Sequence, residues 1–209
     1  MLNIVENSRP RCSTAVAPAI SRYCDWLCAC NRFDEAYRSS TDWLDCLRGE
    51  LTPLHSGLLE LAVSQALVGC KLTQIMRVDA PLEYAERAVN FFRKSNVSYE
   101  LVRAYVVRAK LCTISNPELA QRDLDEAWEI AERGPMLLFL ADIHLYRARL
   151  FGRMKGEGRR MNEADAYPWE SVEHDLMEAR RLIEKCGYWR RKEELEDAER
   201  ALLGESHSS

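Results

Sequence analysis

Two stretches of this chain repeat each other at fixed distances, and no other feature restricts its fold as much. YVVRAKL from Tyr105 matches HLYRARL from His144, 39 residues on, while DLDEAWEIAERG from Asp123 matches DLMEARRLIEKCG from Asp175, 52 residues on. The extra 13 fall in MKGEGRRMNEADAYP, a stretch rich in glycine and charge that reads as a loop insertion. Cys70, Ala109 and Ala148 keep the 39-residue step, as do Lys71, Lys110 and Arg149 and then Leu72, Leu111 and Leu150. A weaker copy lies 45 residues earlier, with Leu27 matching Leu72 and Trp43 matching Ala88. Periods of about 20–50 residues mark arrays in which each unit buries its apolar face against the next.

Each half of the unit has the spacing of a helix. Leu101, Ala104, Tyr105, Arg108, Ala109 and Cys112 recur every three or four residues, as do Leu119, Leu124, Ala127, Ile130 and Ala131. Breaks stand between the halves: Asn31-Arg32, Asp79-Ala80-Pro81 and Asn116-Pro117, the last with Asn116 as N-cap and Pro117 in the first turn. Gly134-Pro135 and Gly187 close two further helices. With 9 Gly and 7 Pro in 209 residues, the chain has too few turn residues for an all-β fold. The expected fold is all-α: helical hairpins at about 17–48, 55–95, 98–134 and 136–187, the last split by the insertion at 155–168, and then a capping helix at 189–203. Trp189 is expected to anchor that cap. Residues 1–16 and 205–209 read as flexible ends, and 17–204 as a single repeat domain.

LCACNRFDEA, from Leu27 to Ala36, resembles the tetratricopeptide repeat, with a large apolar residue before a tight turn, then an aromatic and a small alanine. Leu124 with Ala127, and Leu176 with Ala179, are similar to that family's large and small positions on the second helix. The period of 39 or 45 departs from the family's usual length of about 34. The resemblance implies a right-handed superhelix of about four antiparallel hairpins with a concave groove lined by the first helix of each pair. The stretch from Ala141 to Leu202 is similar to the last repeats of arrays that end bacterial regulatory and defence ATPases. That second resemblance implies a regulatory subunit or sensor controlling an ATPase, protease or nuclease on another chain. The chain itself has no G-x-x-x-x-G-K-[ST] loop.

Catalytic patterns are missing too. His55, His144, His174 and His207 are the only histidines, none in H-E-x-x-H, and no G-x-S-x-G elbow exists. The reading is of a non-catalytic scaffold or adaptor with no cofactor and no metal. Cys24, Cys28 and Cys30 lack the second ligand pair that structural zinc needs, and read as thiols packed like small hydrophobes.

What the repeat does offer is cations in register. Lys71, Lys110 and Arg149 form one ladder on the first helices, and Arg108 with Arg147 form another. Either ladder, if it faces the groove, offers an acidic peptide or a terminal carboxylate a row of partners. Tyr105, Tyr146 and His144 lie close enough to add contacts. The expected partner-binding set is thus Lys71, Tyr105, Arg108, Lys110, His144, Arg147 and Arg149. The insertion has one functional role open to it, closing over that groove. The first hairpin, with Tyr23, Trp26 and Trp43, has no polar capping helix before it and is the expected place for self-association or docking.

The 29 basic and 33 acidic residues leave a net charge of −4, which does not suggest nucleic acid as a partner. The longest apolar run, MLLFLA from Met136, is far below the roughly 20 residues needed to span a bilayer. The N-terminal stretch lacks the apolar core of a signal peptide, so the expected location is the cytoplasm.

Overall fold

The computed structural model describes residues 13–47, 49–69, 80–152 and 167–203. Among the described residues every regular element is helical and no strand occurs. In chain order the α-helices are α1 (Ser13–Ala29), α2 (Phe33–Cys46), α3 (Pro53–Gly69), α4 (Ala80–Ser95), α5 (Ser98–Cys112), α6 (Pro117–Arg133), α7 (Leu137–Gly152), α8 (Val172–Cys186) and α9 (Lys192–Leu203). A 3-10 turn, Trp189–Arg191, leads into α9.

The breaks fall where local chemistry puts them. Asn31 turns the chain between α1 and α2 with φ of 58°, a left-handed conformation that asparagine tolerates better than most residues. The Asn116 side chain accepts from the Leu119 N–H at 3.1 Å and Pro117 opens α6, so an orphan donor of the first turn is satisfied. Ser171 caps α8 in the same way, through the His174 N–H at 3.0 Å. Gly187 ends α8 at φ of 65°, and the following Tyr188 N–H returns to the Ile183 carbonyl at 2.9 Å. Two expectations are corrected. Residues 13–16 do not belong to an irregular lead, because α1 already starts at Ser13. Trp189 does not anchor the cap: it is 59% exposed, and Leu195 and Ala198 of α9 are the residues buried there.

The chain divides into two compact units, residues 1–107 and 108–209, with the division inside α5. In the first, α3 is mostly apolar and buried on most of its surface, and α1, α2 and α4 all pack on it. Ala17, Leu47 and Leu59 form one buried group, and Cys24, Leu27, Ala36, Ala62 and Ala66 another. Gly57 of α3 lets α4 come close: a Cβ there would stand 2.7 Å from the Phe92 ring. Arg103 of α5 reaches α1, its Nη2 donating to both oxygens of Asp25 at 2.8 and 2.9 Å, while Nη1 donates to Glu100 at 2.9 Å.

In the second unit α7 has the central place, with α6, α8 and α9 packed on it. Ala141, Leu145 and Ala148 meet Leu176, Ala179 and Ile183 of α8, and Leu195 and Ala198 of α9. The alternation of alanine with large aliphatics lets helix axes approach closely while the larger chains fill the space between.

Candidate functional site

The expected ladders end up in opposite environments. Arg108 is 9% exposed, with Nε and Nη2 donating to the two oxygens of Asp123 on α6 at 2.7 and 2.6 Å. Arg147 is 7% exposed; its Nη2 donates to Asp125 at 3.0 Å, and its guanidinium stacks 4.6 Å from the Trp169 ring and 5.7 Å from Trp128. Burial pulls the Arg147 pKa down, against the opposing pull of Asp175 and Asp125. Both arginines are bonded to aspartates inside the second unit, although the buried Nε of Arg147 has no hydrogen-bond partner among the described residues. The helical period fixes that the two arginines share a face, whereas the facing acids decide that the face is internal.

Tyr105 and His144 occupy equivalent positions in the repeat and are spent as well. Tyr105 is buried in the first unit, and its hydroxyl accepts from Arg93 Nε at 2.9 Å. His144 Nδ1 lies 2.5 Å from Asp175 Oδ1, while the Tyr167 hydroxyl donates to the other oxygen of Asp175. Burial, followed by that bond to a carboxylate, pushes the Tyr167 phenol up. Trp169 Nε1 donates to Asp125 at 2.6 Å, so the short stretch after the insertion is tied down at two aspartates. Of the insertion at 155–168 only Tyr167 and Pro168 are described, and Lys71 lies outside the described residues.

Lys110 and Arg149 remain, and they converge. Lys110, in the last turn of α5, is exposed, yet its Nζ sits 3.6 Å from the centre of the Tyr146 ring on α7. Arg191, from the 3-10 turn, approaches the same ring at 5.5 Å. Arg191 Nε and Nη2 donate to Asp142 at 2.8 and 3.2 Å, and its Nη1 donates to Glu194 at 2.6 Å. Arg149 Nη1 donates to the other oxygen of Glu194 at 3.0 Å. The Tyr188 hydroxyl donates to Asp142 at 3.3 Å and accepts from Arg190 at 2.9 Å. Two acids thus serve two arginines, and among the described residues no carboxylate pairs with Lys110.

The electrostatics follow from that arrangement. Crowding of the Lys110 ammonium lowers its pKa to about 8, desolvation first and Arg191 next, with Asp142 and Glu194 resisting. Burial opposes the charge of Arg191, but Tyr146, Asp142 and Glu194 outweigh it and hold its pKa up. Burial also pushes the Tyr146 phenol up, so its ring remains a neutral π face. A cation on such a face gains about 0.5–2 kcal/mol, more where water is excluded.

Sequence reasoning missed Asp142, Arg191 and Glu194. A signal existed for the first: Asp142 is the one acid in the apolar run LLFLADIHL, and a buried carboxylate requires a cation. Arg191 reads in the sequence as part of a solvated face with Arg190 and Lys192, and nothing in its spacing announces that it turns inward.

Elsewhere, Tyr23 and Trp26 stack on α1 with ring centres 6.0 Å apart, and both are exposed. A cavity of about 370 Å³ in the first unit is lined by residues that include Leu44, Leu51, Tyr84 and Phe91, with Arg87 bonded to Glu60 at 2.9 Å on its wall. Burial raises the Cys24 and Cys28 thiols to about 11 and about 12, which keeps them protonated and unreactive. Among the described residues no group of three or more His, Cys, Asp and Glu side chains is placed to hold a metal ion. Comparison with protein-family models, with curated proteins and with solved structures returns no match.

Proposed function

We propose that this chain is a non-catalytic binding scaffold whose helices pair into four antiparallel hairpins, α1–α2 through α7–α8, stacked as a right-handed tetratricopeptide-like superhelix with α9 as cap. Its ligand is a protein segment that places one carboxylate on Lys110. The observation that carries this reading is the state of Lys110: exposed, seated on Tyr146, and without an acidic partner among the described residues. The neighbouring arginines are already neutralised by Asp142 and Glu194. One cation is left over, so the site suits a segment with a single well-placed carboxylate rather than an acidic run. An added charge-assisted hydrogen bond of this kind contributes about 1.5–3 kcal/mol.

Selection of random peptides displayed against the whole protein tests this. Enriched peptides are expected to hold an acidic side chain or free C-terminus at a constant position, and to bind Lys110→Met at least roughly tenfold more weakly. Enriched peptides indifferent to Lys110→Met, or no enrichment at all, would overturn it.

A further inference from the structure

The first unit carries chemistry of its own, in the cavity between α2, α3 and α4. Its volume of about 370 Å³ falls within the roughly 300–1,000 Å³ of small-molecule sites. Leu44 of α2, Leu51 just after it, and Phe91 of α4 supply half-buried apolar wall. The polar wall begins on α3, where Ser56 and Glu60 stand one turn apart on one face. Glu60 is 8% exposed, and a carboxylate withdrawn from water is costly unless donors surround it. Arg87 of α4 brings two donors, Nε at 3.0 Å and Nη2 at 2.9 Å, but both fall on the same oxygen, Oε2. The Tyr84 ring, 4.3 Å from the Arg87 guanidinium, holds it in that pose. Arg108, by contrast, serves both oxygens of Asp123. Glu60 Oε1 therefore has no donor among the described residues. Nor is it sealed from solvent, since the one side-chain polar atom buried without a partner among those residues is Arg147 Nε.

We propose that this cavity binds a small primary amine with an apolar body, whose ammonium donates to Glu60 Oε1. The charge of the wall selects a cation: Glu60 and Asp45 outnumber Arg87, and two of the Arg87 nitrogens are already engaged by Glu60. An ammonium has three donors and no acceptor, which suits a wall of acceptors. One proton goes to Oε1, and the Ser56 hydroxyl is a second acceptor one turn away. Asp45, exposed at the rim, adds long-range attraction. The apolar body lies against Leu44, Leu51 and Phe91, where its burial adds to affinity. A carboxylate ligand would instead meet two acids and an arginine that is already paired. Both the site and its ligand are independent of the reading of Lys110.

Full-length protein titrated at pH 7 with 2-phenylethylamine, a cation at that pH, tests the site by ligand-observed NMR and calorimetry. A Kd of about 1 mM or tighter is expected. The probes 2-phenylethanol and 3-phenylpropionate keep the ring but replace the ammonium by a hydroxyl or a carboxylate, and should bind at least about tenfold more weakly. Glu60→Gln should weaken the amine by at least about tenfold as well. That change also takes a charged partner from Arg87, so its thermal melt is read alongside. Asp45→Asn, at an exposed position, is the second variant: it should weaken the amine about two- to fivefold at low salt, with the difference shrinking at high salt. An amine Kd weaker than about 1 mM, equal binding of amine and alcohol, or amine affinity retained in a folded Glu60→Gln would sink the proposal. Should Glu60→Gln fail to fold, unchanged amine affinity in Asp45→Asn at low salt would sink it instead.

Discussion

Arg108 and Asp123 give up water for each other, and the two parallel bonds at 2.7 and 2.6 Å are what make this tolerable. A buried pair of this kind adds little over a well-packed apolar pair, but losing one member leaves the other charge stranded. Asp123→Ala is therefore expected to cost about 3–5 kcal/mol in urea unfolding, while the double change Arg108→Met with Asp123→Leu recovers most of that loss. Lys110 gives a prediction of a different kind. Its folded pKa of about 8 lies below the usual 10.5, so the unfolded chain binds more protons between those values. Stability must then rise with pH from about 8 upward, and below pH 8 the crowded charge is a standing penalty. The difference in stability between the native chain and Lys110→Gln should shift in favour of the native chain from pH 7.5 to 9.5, a window below ordinary tyrosine titration. A flat difference would show that the ammonium is not crowded in solution. At this scale the sequence reveals which cations repeat but not which way they face. Arg108 and Arg149 both sit on helical faces with regular spacing, and what separates them is a buried aspartate 15 residues away in one case and a half-exposed glutamate 45 residues away in the other.

Helices α3 and α7 are central to their units and are buried on most of their surface, with most of their few polar side chains paired inside, and the amphipathic α2, α4, α6, α8 and α9 each turn one face inward. That distinction is legible in the sequence, as are the ends at Asn31, Asn116, Gly134 and Gly187, since each rests on chemistry within a few residues. What is not legible is Gly57. In a helix a glycine reads as a weakness of about 1 kcal/mol relative to alanine, but here it makes room for Phe92 of α4. Gly57→Ala should therefore lower the melting temperature, as overpacking costs about 1–3 kcal/mol against the propensity gained. Gly134→Ala is the control: its nearest neighbour is the flexible end of Met136 at 3.0 Å, and its φ of −96° suits any residue. Gly187→Ala, by contrast, forces a side chain into a left-handed conformation and is expected to cost about 1–2 kcal/mol in the same measurement.

The division between the two compact units falls inside one uninterrupted helix, α5, whose Val102, Ala104, Tyr105, Ala109 and Cys112 are all buried. Within each unit the central helix is the place to test packing: Leu59→Ala in the first and Leu145→Ala in the second are each expected to cost about 2–5 kcal/mol in urea unfolding, and a loss below about 1 kcal/mol at either would show that its core is loosely packed. The repeat makes this order of elements readable from the sequence, because both halves of the unit recur together. The cluster around Tyr146 was half readable: Lys110 and Arg149 come from the repeat, but Arg191 and Asp142 meet across 49 residues with no periodic relation. The tie of Trp169 to Asp125 and Arg147 has an optical side as well. An indole that donates to a carboxylate beside a guanidinium emits in a strongly polarised field, while Trp26 and Trp189, at 52% and 59% exposure, are open to quenchers such as acrylamide. With those two quenched, the remaining emission comes from Trp43, Trp128 and Trp169. Its change on replacing Trp169 by phenylalanine isolates the light of that one indole and turns the chain into its own reporter.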